Sequence, residues 1–282
     1  MSRWMQRGRR LAEPLAVYAV LLAALVVALF PVFWTLSTSI KTRVSTFAMP
    51  PQFLDFTPTF RNYALLFSSP GFAWVYVNTL FITLSSTFIC VAVGTLAAYA
   101  LARTHRFGSR VPLEVSLLLV RAIPTIVLMV PLFHIVSRLG LYDSRGAMIV
   151  MYAAINLPFA VWLMTSFIEQ IPTELEECAA VDGAGRAQTL LHVVLPLAVP
   201  GMAATMIFVA LLAWNEFLIP VLLAGENAKT LPVYISGFIS ARNLDWGPMA
   251  AASSLAILPI AILTVLIQRR LVSGLSSGAI KE

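Results

Sequence analysis

A chain of 282 residues that is 59% hydrophobic and only 11% charged, with a mean hydropathy of +0.86, lacks the polar surface that a soluble core needs, since soluble domains carry about a quarter charged residues. The net charge of +6 does not point to nucleic acid, because the basic residues stand in short clusters between apolar runs, the pattern of loops that hold membrane spans in place. Cys90 and Cys178 form no CxxC unit, and His105, His134 and His192 are scattered, so neither a disulfide framework nor a metal site is expected.

In chain order, Arg3, Arg7, Arg9 and Arg10 precede a first apolar run. From Leu15 to Phe33 this run is longer than a secretory h-region. Ser37-Thr38-Ser39 could pass for a cleavage site, but an uncleaved span over Pro14–Leu36 is the expectation. Five more runs follow: Val75–Leu101, Val115–Val136, Ala147–Phe167, Ala198–Leu223 and Met249–Leu271. Each meets the requirement of about 20 apolar residues for a spanning helix. Lipid requires backbone groups to pair within such a segment, which selects helices. The fold class is therefore all-α, a polytopic membrane protein of six transmembrane helices. Prolines 124, 131, 158, 200 and 259 predict kinks rather than breaks.

With the N-terminus inside, 11 of the 19 Lys and Arg residues fall in inner segments, 7 in outer ones and Arg121 within a span. Both termini are then cytoplasmic. The organisation reads as an N-terminal tail (1–13), a transmembrane domain (14–271) with an external loop over 40–73 and an internal loop over 168–197, and a C-terminal tail (272–282). The external loop, rich in proline and aromatics, is expected to pack as a small cap.

The internal loop carries Glu169, Glu174, Glu176, Glu177 and Asp182 against Arg186. Membrane retention gives no reason for that charge; a docking surface does. Thr173-Glu174-Leu175-Glu176 reads as a capping box, and Gly183 as a left-handed cap, bounding a helix from about Glu174 to Asp182. A second helical stretch begins near Gly185 and meets Pro196 before the fifth span. Leu175, Cys178 and Ala179 share one face of the first helix. Two readings stay open on the residues alone: a helix lying on the membrane or its own bundle, and a helix that docks a partner.

Polar residues inside spans are candidates for a solute path. They are Arg121 beside Pro124, Asn215 and Glu216 beside Trp214 near the end of the fifth span, and Asn78 and Asn156. The competing readings are a helix–helix ion pair for Arg121, a polar span end for Asn215 and Glu216, and helix–helix hydrogen bonding for the two asparagines. Ala224-Gly225-Glu226-Asn227-Ala228-Lys229-Thr230 faintly suggests a phosphate loop but lacks the spacing and the preceding strand. No GxSxG, HExxH or paired membrane aspartates are present, so no catalytic residue is expected.

Glu177-Cys178-Ala179, three residues, Gly183, nine residues, then Val193-Val194-Leu195-Pro196 resembles the signature loop of binding-protein-dependent ATP-binding-cassette permeases. That pattern is Glu-Ala-Ala, three residues, Gly, nine residues, Ile, one residue, Leu-Pro. Cys178 and Val193 depart from it, both as small changes. Pro58-Thr59-Phe60-Arg61-Asn62-Tyr63, Ala98-Tyr99-Ala100-Leu101-Ala102-Arg103, Leu139-Gly140-Leu141 and Ala213-Trp214-Asn215-Glu216-Phe217 resemble the carbohydrate branch, the maltose-type permeases.

The resemblance implies that Glu177, Cys178, Ala179, Asp182, Gly183, Ala184, Leu195 and Pro196 couple the chain to an ATPase. It implies a non-identical second permease, an extracytoplasmic solute-binding protein, and two ATP-binding subunits that hold ATP and Mg, with no cofactor in this chain. The setting would be a bacterial or archaeal cytoplasmic membrane, spanned several times. A secondary transporter or channel that needs no ATPase is the alternative.

Overall fold

The computed structural model describes residues 3–103, 116–117, 119–239 and 245–276, with side chains from residue 17 to residue 264. Its long helices follow from long apolar runs, and the chain divides into two units.

The first unit comprises Met1–Pro70 and Phe238–Ile257. It holds α1 (Arg3–Ser39), α2 (Arg43–Thr46), α3 (Arg61–Ser68) and the start of α11 (Trp246–Ser276). Along α1 the apolar side chains from Val17 to Phe30 are exposed, a surface suited to lipid. The segment that follows α1 folds back onto the end of that helix. Lys41 is buried, donates from Nζ to the Gln52 carbonyl, and lies 4.3 Å from the Trp34 ring centroid and 4.9 Å from that of Phe56. A buried ammonium needs such compensation. Asn62 Nδ2 donates to the carbonyls of Ser39 and Lys41, each at 2.9 Å, and ties the loop back to the end of α1.

The second unit comprises Gly71–Gly237 and Leu258–Glu282. Its elements are α4 (Phe72–Arg103), α5 (Thr125–Arg138), α6 (Arg145–Ile168), α7 (Glu174–Val181), α8 (Arg186–Trp214), α9 (Leu218–Leu223) and α10 (Leu231–Ser236). Helices α4, α6 and α8 form the core. Small residues set the α4–α6 approach: a Cβ on Gly94 would stand 3.0 Å from Ala160 Cβ. Without a hydrophobic drive between helices in lipid, close packing of this kind holds them together. On the buried polar face of α4, Thr79 donates to the Val75 carbonyl and Thr95 to that of Val91.

Among the described residues, five helices are long and apolar enough to cross a membrane: Val17–Ser39, Phe72–Arg103, Arg145–Ile168, Arg186–Trp214 and Trp246–Thr264. The expected third span, Val115–Val136, is not one helix. It breaks at Ile123–Pro124, where the proline ring disfavours helical backbone in the preceding residue. The 14 residues of α5 extend about 21 Å, short of the roughly 30 Å hydrocarbon thickness. The expected fifth span, Ala198–Leu223, also divides: α8 ends at Trp214, and α9 begins at Leu218.

At its other end α8 takes in the helical stretch expected from near Gly185 and passes Pro196 without interruption. A π turn over Leu190–Val194, closed by Leu195 N–H onto the Leu190 carbonyl, absorbs the proline. Pro196 donates no hydrogen bond, and its ring would crowd the His192 carbonyl in regular α geometry. Pro131, Pro158, Pro200 and Pro259 all lie within continuous helices.

Candidate functional site

Helix α7 stands on the loop between α6 and α8 and presents two unlike faces. Gly183 ends it at φ +86°, the left-handed geometry expected. Ala184 N–H then closes onto the Ala179 carbonyl at 2.9 Å, and Gly183 N–H onto that of Ala180 at 3.1 Å. The start differs from expectation. The Thr173 side chain makes no cap, and Glu176 does not reach back to it. Glu176 instead accepts from Tyr99 Oη at 2.8 Å and from Arg103 Nε at 2.6 Å. Charge-assisted bonds of this kind are about twice as strong as neutral ones, so the distant partners outcompete the local cap.

On the opposite side Glu174, Glu177, Cys178 and Val181 recur at helical spacing, and all are exposed. Val181 is 88% exposed. Ala179 and Ala184 are half-buried, and Asp182 and Gly183 are exposed. The turn thus brings six of the eight predicted coupling residues together. Leu195, half-buried, and Pro196, exposed, lie beyond the π turn in α8. From sequence Glu176 reads as a capping residue, and Tyr99 and Arg103 stand out only within the Ala98–Arg103 segment, so their joining is not foreseen there. The signal that could have found it is the spacing of Tyr99 and Arg103, one helical turn apart at the end of α4.

A cavity of about 360 Å³ opens beside the break in the third segment. Its lining is mainly apolar, with Arg121, Thr125, Asn156 and Glu216 as the polar residues. The Arg121 guanidinium carbon sits 4.4 Å from the Phe159 ring centroid. Asn156 Nδ2 donates to the Tyr152 carbonyl at 2.9 Å. Glu216 Oε1 accepts from the amides of Leu218 and Ile219 at 3.0 and 3.2 Å, capping α9. The other two candidates lie elsewhere. Asn78 is buried and donates to the Lys229 carbonyl at 2.8 Å. Asn215 donates to the Leu211 carbonyl at 2.7 Å and terminates α8. Among the described residues no group of His, Cys, Asp or Glu side chains is placed to hold a metal ion.

The family model described as "Binding-protein-dependent transport system inner membrane component" matches residues 90–277. The chain belongs to that family. The match takes in α7, its anchor on α4 and the cavity. Among relatives of this inner membrane component, the trehalose transport system permease protein SugB of Mycobacterium tuberculosis is 36% identical over 271 residues, covering 94% of this chain and 98% of SugB. The inner membrane ABC transporter permease protein YcjP of Escherichia coli is 34% identical over 280 residues, covering 98% of this chain and all of YcjP. A crystal structure of a bacterial ABC transporter that imports the acidic polysaccharide alginate matches with a TM-score of 0.77 at 26% identity, covering 93% of this chain and 97% of that one.

One further feature of this inner membrane component concerns residues 224–230, whose spacing already sets them apart from a phosphate loop. Their amides do cradle an anion, but the anion is a carboxylate of the same chain. Asp143 Oδ1 accepts from Gly225 N at 2.7 Å and Ala228 N at 2.8 Å, and Oδ2 from Asn227 N at 3.0 Å and Asn227 Nδ2 at 2.9 Å. Burial pushes the Asp143 carboxyl upward, yet these donors outweigh it and hold its pKa below the usual carboxylate value.

Proposed function

We propose that this chain is the permease subunit of an ABC importer for a sugar or sugar-like solute, forming half of the translocation pathway. The observation that carries the reading is the two-faced helix α7. Its outward face joins exposed apolar Val181 and Cys178 to the exposed carboxylates Glu174 and Glu177, a surface that a lone subunit has no reason to keep. Family membership supplies the class of partner. Two ATP-binding subunits would hold ATP and Mg and grip α7 through Glu177, Cys178, Ala179, Asp182, Gly183 and Ala184, with Leu195 and Pro196 setting the angle at which α8 leaves the grip. A non-identical sister permease completes the pathway, and an extracytoplasmic solute-binding protein delivers the solute. Both termini lie in the cytoplasm, and the complex sits in a bacterial or archaeal cytoplasmic membrane.

The sugar class is supported by the name of the trehalose relative. The cavity at Arg121, Asn156 and Glu216 is assigned to the solute path. Its size lies within the range of about 300–1,000 Å³ usual for small-molecule sites. Asn78 and Asn215, whose amides are spent on backbone carbonyls, support the walls of that path.

The test is co-purification of the complex. Wild-type chain should retain an ATP-hydrolysing subunit, and deletion of Glu174–Val181 or the Glu177→Lys substitution should release it or abolish uptake while the chain stays in the membrane. Unchanged, ATP-driven uptake in both variants would remove the docking assignment. Uptake that needs no ATPase would favour a secondary transporter.

A further inference from the structure

We propose that Glu176, Tyr99 and Arg103 form the linkage that carries movement of α7 into the spans. This rests on the importer reading, and it concerns the face of α7 turned away from the proposed motor.

Arg103 stands on the last turn of α4, and its guanidinium joins three elements. Nε donates to Glu176 Oε1 at 2.6 Å. Nη2 donates to the carbonyls of Ile171 at 3.0 Å and Ile168 at 3.3 Å, at and just beyond the C-terminal end of α6. A cation there meets the negative end of the α6 dipole as well as the carboxylate. Tyr99, one turn earlier on the same face of α4, donates to the second oxygen of Glu176 at 2.8 Å. The Glu176 carboxylate therefore accepts on both oxygens from one helix, across 77 and 73 residues of sequence.

The linkage is shielded and backed by packing. The side chains of Arg103 and Glu176 are each 15% exposed. Beneath them Ile168 and Ile171 pack with Ala98, Ala102 and Val194 in one buried cluster. A displacement of α7 thus cannot be absorbed by a slack loop. The loop ends in a carboxylate held by two side chains on α4, whose guanidinium is itself seated on the end of α6. Glu176 is a positioning residue here: it faces away from Glu177, Cys178 and Val181 and acts through the spans.

The test uses the complete complex in proteoliposomes, with its ATP-hydrolysing partner and solute-binding protein, and reads solute imported per ATP hydrolysed. Glu176→Gln and Arg103→Gln should each lower this ratio about tenfold, within the range of typical coupling between sites. The ATP-hydrolysing subunit should be recovered in wild-type amount. The double variant should be no worse than the poorer single one, because both remove one shared interaction. A wild-type ratio in the two single variants, or multiplicative losses in the double, would overturn the linkage. Loss of the ATP-hydrolysing subunit from Glu176→Gln would also overturn it, since Glu176 would then be a docking residue. Should these variants fail to insert, Tyr99→Phe, which deletes one hydroxyl, should still lower the ratio about twofold, and a wild-type ratio there overturns the proposal. An unsubstituted complex without any ATP-hydrolysing subunit would instead remove the importer reading itself.

Discussion

Asp143 shows how much one side chain can organise. It occupies left-handed backbone at φ 58°, uncommon for a residue with a Cβ and better tolerated by Asp than by most. Its carboxylate fills a concavity of amides that would otherwise point at each other. Asp143→Asn should lower stability by about 1–2 kcal/mol, the range for a weakened acceptor to several amides, read as a fall in the midpoint of thermal unfolding in detergent. Gly225→Ala should act through the same contact, because the added Cβ would lie 2.8 Å from Asp143 Oδ2, and the double variant should cost little more than either alone. The pH dependence has a definite sign. The folded-state pKa is depressed, so the stabilisation is fully present above the unfolded carboxylate value of about 3.9 and is lost as pH falls through the folded value. Arg121 is the other residue with a sharp expectation. It lines the cavity and lies over the Phe159 ring, so Arg121→Gln should weaken the apparent affinity for imported solute at unchanged expression. Unaltered affinity would take it out of the path.

At the scale of elements, the helix crossings rest on small residues. Gly94→Leu should separate α4 from α6, because even its Cβ meets Ala160. Overpacking of this kind costs about 1–3 kcal/mol. Val93→Leu, on the exposed side of the same turn, should leave the unfolding midpoint unchanged and serves as the control. The elements also show which features were legible in sequence. Long apolar runs announced five spanning helices, and Gly183 announced the end of α7. Pro124 carried the signal for the break in the third segment, though a kink was the expectation drawn from it. The break after Trp214 had no such marker. Asn215 folds back onto the Leu211 carbonyl while Glu216 caps the next helix, and neither choice is visible without the three-dimensional setting. The capping box failed for a related reason: Glu176 has stronger partners on α4, remote in sequence. Of the cavity, Arg121, Asn156 and Glu216 could be nominated from polarity within apolar runs, but nothing linear separates them from Asn78 and Asn215.

For the molecule as a whole, native thiols offer a direct probe of orientation. Cys90 is buried and Cys178 is exposed on the outward face of α7. A membrane-impermeant maleimide should therefore label Cys178 in inside-out vesicles and leave right-side-out cells unlabelled. In vesicles that retain the ATP-hydrolysing subunit, labelling should slow by about tenfold or more, as expected where a partner covers the site. Labelling from outside the cell would reverse the orientation and, with it, the importer reading. The two faces of α7 also bear on how such a machine can be rebuilt. On the proposed docking, the exposed residues of α7 and its closing turn would answer to another gene product, whereas position 176 is held by residues of its own chain. Fitting a motor borrowed from a different importer should then require rewriting only the residues of that docking face. The Tyr99–Arg103–Glu176 triangle can pass unaltered from one hybrid to the next.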